Sequence, residues 1–159
     1  MDAKGDAVSG CWVAAVSAYY KVAGAESDAP GRALLRVPVD APLQYVVAGK
    51  AGVGLDYFVF RGERDPPSDP HKRPLDYSEP FHFVLNGTRT VTLRVLDERQ
   101  QPMAGADVNA WFSEKPKKGG DLNTGLEEFG TVTDSQGVAT LSIVPADGYE
   151  AVPAKTIAE

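Results

Sequence analysis

The chain repeats itself. Asp2–Ser17 (DAKGDAVSGCWVAAVS) aligns without gaps on Asp97–Phe112 (DERQQPMAGADVNAWF), and Ser27–Val37 (SDAPGRALLRV) aligns on Thr133–Ile143 (TDSQGVATLSI). Two blocks recurring in the same order mean one structural unit used twice, which restricts the chain to a tandem of related folds. In the first block Asp2, Val8, Gly10, Val13 and Ala15 answer Asp97, Met103, Gly105, Val108 and Ala110. In the second, Ser27, Asp28, Gly31, Ala33, Leu35 and Val37 answer Thr133, Asp134, Gly137, Ala139, Leu141 and Ile143.

Each match has a physical reason. Asp28 and Asp134 can accept hydrogen bonds from the amides of the turn they open, and Gly31 and Gly137 can take the positive φ that closes it. After each turn every second residue is apolar, which puts Ala33/Leu35/Val37 and Ala139/Leu141/Ile143 on the buried face of a strand, with Thr140 and Ser142 facing water. Gly10 and Gly105 permit a bulge or a close backbone approach before a strand that buries Val13/Ala15 or Val108/Ala110. Val91/Leu93/Val95 and Phe81/Phe83/Leu85 alternate in the same way, His82 and Val84 falling on the outward phase. The continuous apolar runs Tyr45–Ala48 and Tyr57–Phe60 suit strands covered on both faces, as in a two-sheet sandwich. The fold class expected is all-β.

Composition narrows the function. With 159 residues and 43% hydrophobic content the chain can bury a real core, as one large domain or two small ones. A net charge of −6 argues against nucleic acid as partner, because phosphate binding needs clustered Lys and Arg. A single cysteine forms no internal disulfide, and no apolar run is long enough to span a bilayer, so no membrane insertion is expected.

The run Asp97…Pro102-Met103-Ala104-Gly105-Ala106-Asp107-Val108, followed by Thr133-Asp134-Ser135-Gln136-Gly137, resembles the carboxypeptidase regulatory-like domain, with its D-x-x-G-x-P-V-x-G-A-x-V and T-D-x-x-G signature. The second copy departs from that pattern at Gln100, where the family has Gly, and the first at Ala7, where it has Pro. The resemblance implies two tandem transthyretin-like Greek-key β-sandwich modules, residues 1–87 and 88–159, meeting at Asn86-Gly87 in a turn between strands Phe81–Leu85 and Thr90–Leu96. Together with the aromatic run Gly54–Phe58 between the copies, it implies a large extracytoplasmic protein (periplasmic, cell-surface or secreted) of bacterial, planctomycete type. A strand precedes Asp97, whereas only Met1 precedes Asp2, so the first module is expected to lack its first strand. The second module ends soon after Gly137 and is expected to lack its closing strand, both edges inviting strand exchange with another chain.

Chemistry is sparse. His82 lies on the outward phase of its strand, and the plain reading is a solvent-facing side chain. Asp65, Asp69 and His71, with Asp76 and Glu79 nearby, are weak metal-ligand candidates, but their spacing matches no cation loop and no metal or other cofactor is expected. Cys11 aligns with Ala106, so that position wants a small residue and the thiol reads as packed and inert. No Gly-x-Ser-x-Gly elbow is present, and two unmatched histidines cannot supply the ligand sets of enzymes built on the transthyretin-like fold. Lys50 and Lys155 lie near strand ends and do not suit an isopeptide crosslink, and the basic run Lys115–Lys118 reads as a solvated loop.

Trp12 and Trp111 fall on the phase opposite Val13/Ala15 and Val108/Ala110, pointing out of their own module. They can pack on a neighbouring module or stack on a sugar. They are not repeat-equivalent, which favours packing. The leading function is a non-catalytic structural or protein-interaction module that spaces or presents neighbouring domains of a larger protein. The alternative is carbohydrate or cell-surface ligand binding through Trp12, Tyr19, Tyr20 and Trp111.

Overall fold

A computed structural model describes residues 1–17, 20–60, 62, 72, 74–110, 112–113, 122–123 and 126–146. Its elements are strands in antiparallel sheets and one short 3-10 helix, an all-β architecture. Strands β1 (Trp12–Ser17), β2 (Tyr20–Glu26), β3 (Leu43–Lys50) and β4 (Gly54–Val59) form a four-stranded sheet in the order β2-β1-β3-β4. Strands β5 (Thr88–Arg94), β6 (Asp107–Asn109), β7 (Phe112–Ser113) and β8 (Leu122–Asn123) follow. The 3-10 turn Glu127–Phe129 then leads into β9 (Gly130–Val132) and β10 (Val138–Pro145). These pair as β10-β5, β6-β9 and β7-β8.

The four-stranded sheet is apolar on both faces, as the unbroken runs in β3 and β4 require. One face carries Ala14, Val16, Tyr45, Val47, Leu55 and Tyr57, and these close a core with Leu122, Leu126, Phe129 and Ile143 of the second copy. The other carries Cys11, Val13, Ala15, Val46 and Ala48, covered by Leu35, Val37, Phe81, Phe83 and Leu85. The sheet is therefore the middle layer of the molecule. Because Trp12, Ala14 and Val16 share one face, the phase that points out of the first copy points into the second.

At its turns the sequence repeat is matched by equivalent hydrogen bonds. Ser27 Oγ accepts from the Cys11 amide at 3.0 Å and donates to the Val8 carbonyl at 2.7 Å. Thr133 Oγ1 accepts from the Ala106 amide at 2.8 Å and donates to the Met103 carbonyl at 2.6 Å. The Gly10 and Gly105 amides donate to the carbonyls of Ser27 and Thr133. Asp28 and Asp134 open their turns as expected, each accepting with Oδ1 from the amide four residues on. Asp2 and Asp97 do the same for the amides of Asp6 and Gln101.

Within that second pair of turns Gly5 has φ +91° and its counterpart Gln100 has φ +61°, the one non-glycine residue with positive φ among those described. The departure at Gln100 thus keeps the backbone and accepts the strain. Gln100→Gly is expected to raise stability by about 0.5–1 kcal/mol, the left-handed penalty minus glycine's unfolded-state entropy, visible as a melting temperature a few degrees higher. A lowered melting temperature would show that the Gln100 side chain holds the turn instead.

In β10 Ala139, Leu141 and Ile143 are buried while Thr140 and Ser142 are exposed, as the alternation predicts. Three expectations change. Phe81–Leu85 keeps its alternation, with Leu85 buried and His82 and Val84 exposed, but it joins no sheet: its one bridge is Leu85 to Asp2. It is held by apolar contact and by Asp56, whose Oδ2 accepts from the Val84 amide at 2.7 Å. Asn86-Gly87 is not a hairpin turn, because the Gly87 amide donates to Val53 and its carbonyl accepts from Ala146, so the chain passes between these two partners with Gly87 at a φ of +103°. Ala33–Val37 forms no strand, since no described strand lies beside it; Leu35 and Val37 are half-buried, but Ala33 is exposed.

Candidate functional site

A cavity of about 690 Å³ lies on the second face of the sheet. Its floor is the sheet, through Val13, Val46 and Ala48, and its walls are the extended segments Ala33–Val37 and Phe81–Leu85. Two backbone devices set that shape. The Asp28–Arg32 turn leads into Ala33–Val37, and Asp56, a residue of β4 that is 1% exposed, anchors the opposite wall at Val84. Asp56 was not singled out by sequence reasoning; an acidic residue inside the apolar run Gly54–Phe60 was the available signal.

The rim is apolar and open. Leu34 is 80% and Tyr77 63% exposed, large values for side chains of this size beside a core. His82 lines the cavity wall and is exposed. Cys11 sits at the cavity's inner end with Sγ 3.3 Å from the Gly49 carbonyl, and burial pushes its thiol above the usual cysteine range, which disfavours the nucleophilic thiolate.

The aromatic candidates are not gathered into a site. Trp12 is half-buried and meets Phe129 edge to face, ring centroids 5.5 Å apart, in the seam between the copies. Tyr20 is 75% exposed on β2. Trp12 pairs with Glu26 and Tyr20 with Ser17, at opposite ends of the β1-β2 ladder, about 17 Å apart at the usual strand rise. Tyr19, Trp111, Asp65, Asp69, His71, Lys155 and the Lys115–Lys118 run lie outside the described residues. Asp76 and Glu79 are exposed, and Asp76 Oδ1 accepts from the Ser78 amide at 2.8 Å. No group of His, Cys, Asp and Glu able to hold a metal ion occurs among the described residues.

A second polar feature closes the seam. Lys21 Nζ lies 2.6 Å from Glu128 and 3.1 Å from Glu127, tying β2 to the 3-10 turn. The Glu128 carboxylate, with Glu127, raises the Lys21 pKa. Burial, with a contribution from Glu128, pushes Tyr45 up to about 12. Both groups bind their protons more tightly folded than unfolded, so both contributions are whole below pH 10 and fade as pH rises through the folded values. Between pH 10 and 12 stability is expected to fall by about 2–3 kcal/mol, mostly through Tyr45. Tyr45→Phe should flatten that limb in a urea titration; an unchanged limb would place the alkaline loss elsewhere.

Comparison of the chain with family models, curated proteins and solved structures gives no match.

Proposed function

We propose that the chain is a non-catalytic structural or protein-interaction module, two tandem transthyretin-like sandwich repeats of the carboxypeptidase regulatory-like type, that spaces or presents neighbouring domains of a larger extracytoplasmic protein. The observation that carries this reading is the seam. One face of the β2-β1-β3-β4 sheet shares its core with Leu122, Leu126, Phe129 and Ile143, so apolar burial resists any movement of one copy against the other. Trp12 fills that seam and Lys21 clamps its rim. A connection through Gly87, bonded on one side to Val53 and on the other to Ala146, adds a short tether. A rigid unit of this kind holds whatever flanks it at a set separation.

Paired spin labels test this. Tyr20→Cys on β2 and Val132→Cys on β9 are exposed positions in the two copies, and the buried Cys11 thiol resists labelling at neutral pH. One narrow distance distribution is expected. A broad or multimodal one would remove the spacer reading.

A further inference from the structure

The two copies differ at one sheet edge. In the second copy β5 lies antiparallel along β10, with Arg94 opposite Val138, Leu93 opposite Ala139, Thr92 opposite Thr140 and Val91 opposite Leu141. Val95 then closes the corner: its amide donates to the Gly137 carbonyl at 2.8 Å and its carbonyl accepts from the Met103 amide at 3.0 Å. The repeat maps Val138–Leu141 onto Arg32–Leu35, Gly137 onto Gly31 and Met103 onto Val8. In the first copy the Gly31 carbonyl and the Val8 amide make no hydrogen bond to a described residue, and neither does any backbone group from Ala33 to Val37. The same segment borders the cavity of about 690 Å³ and leaves Leu34 80% and Val39 fully exposed.

We propose that this groove is a docking site for an extended strand of a partner polypeptide, apolar at alternate positions, which pairs antiparallel with Arg32–Val37 as β5 pairs with β10. This deepens the interaction part of the proposed function, and its test is independent of the seam. Three features point to a strand rather than a compact ligand. The groove offers a row of main-chain donors and acceptors at strand spacing, which only another backbone satisfies together. Its inward side is apolar, through Val8, Leu35, Val37 and Phe83, and suits every second side chain of such a strand. The corner formed by Gly31 and Val8 repeats the corner that Val95 fills in the second copy.

The occupant follows from that internal template. Val91 faces Leu141 and Leu93 faces Ala139, so the partner's residues opposite Leu35 and Ala33 are apolar and the residue between them, opposite Leu34, is tolerant. Met1 aligns with Leu96, so the residue of the docked strand equivalent to Val95 lies beside Met1. A second copy of this chain does not readily offer its own β5, which is already paired with β10.

The probe is a synthetic peptide of residues 88–95, Thr-Arg-Thr-Val-Thr-Leu-Arg-Val, added to the intact chain and read by amide hydrogen exchange. Saturating peptide is expected to slow exchange at the amides of Ala33, Leu35 and Val8 at least tenfold. The same peptide with Leu93→Pro, which removes one ladder donor, or with Val91→Asp, should give no protection. The protein itself is unaltered, so misfolding of a variant does not enter. Unchanged exchange with the parent peptide overturns the proposal. So does equal protection by the proline peptide, which means apolar adhesion without pairing, or protection confined to Val138–Pro145, which means exchange with β5. Protection that grows with protein concentration in the absence of peptide assigns the groove to a second copy and overturns the partner strand.

Discussion

Replacing Trp12 by alanine is expected to cost about 3 kcal/mol, near the lower end of the range for truncating a large aromatic in a core because the indole is only half-buried. The side chain lies on the seam. A methyl group at Gly49 would come within 2.6 Å of the Trp12 ring and 2.8 Å of Ile143 Cδ1, so the indole and Ile143 occupy the space a side chain at Gly49 would need. Phe129, 4% exposed, meets the ring edge to face. Urea unfolding should show a lower midpoint with an unchanged slope, the signature of lost stability within one cooperative unit. The pair Trp12→Ala and Phe129→Ala should be non-additive by about 0.5–1.5 kcal/mol, the coupling of an edge-to-face aromatic pair. A loss under about 1 kcal/mol, or strict additivity, would mean that the ring sits against solvent and the copies are joined by other contacts.

Gly137→Ala is expected to cost about 3 kcal/mol, and Gly31→Ala about 1–2 kcal/mol, although the two glycines are repeat-equivalent. Both have left-handed φ, +71° and +75°, so the conformational part of the penalty is shared. What differs is the neighbour. A Cβ at Gly137 would lie 2.5 Å from the Val95 carbonyl oxygen, an atom fixed by its bond from the Met103 amide. At Gly31 the nearest atoms are the Val8 nitrogen at 3.1 Å and the Ala7 Cβ at 3.2 Å, close enough to need a few tenths of an ångström of movement. Thermal unfolding of the two variants side by side measures the difference. Equal losses would mean that β5 does not hold the corner at Gly137. The comparison also bears on the docking groove, since a strand seated against Gly31 should bring the cost there up toward that at Gly137.

Much of this molecule can be read from local chemistry. The turns at Asp28 and Asp134 follow from an acidic side chain that accepts amides and a glycine that takes positive φ, both properties of a few consecutive residues. The burial of Ala139, Leu141 and Ile143 follows from period-two alternation, and the double-sided burial of Tyr45–Ala48 from the absence of alternation. Even the departure at Gln100 is a readable signal, because its position in the repeat demands a left-handed residue whatever side chain stands there. The candidate cavity was less legible. Its walls are formed by Ala33–Val37 and Phe81–Leu85, which carry strand-like patterns yet join no ladder, because a pattern specifies which side chains turn inward and says nothing of whether a neighbouring backbone is present. Asn86-Gly87 misled for the same reason: the dipeptide favours a tight turn, and Gly87 does take positive φ, but its bonds go to the distant Val53 and Ala146 instead of closing a hairpin.

The sequence by itself determined the all-β character, the repeated Asp-to-Gly turns and the inward phase of most strands, since these rest on periodicity and on backbone preferences that act within a few residues. Only the tertiary structure decided that the two halves of the chain share one core, that Trp12 packs against it and that equivalent edges of the repeat are closed at Gly137 and open at Gly31. Those outcomes depend on contacts between residues as far apart as Trp12 and Phe129, or Val95 and Gly137, and such contacts are set by how whole sheets bury their remaining apolar faces.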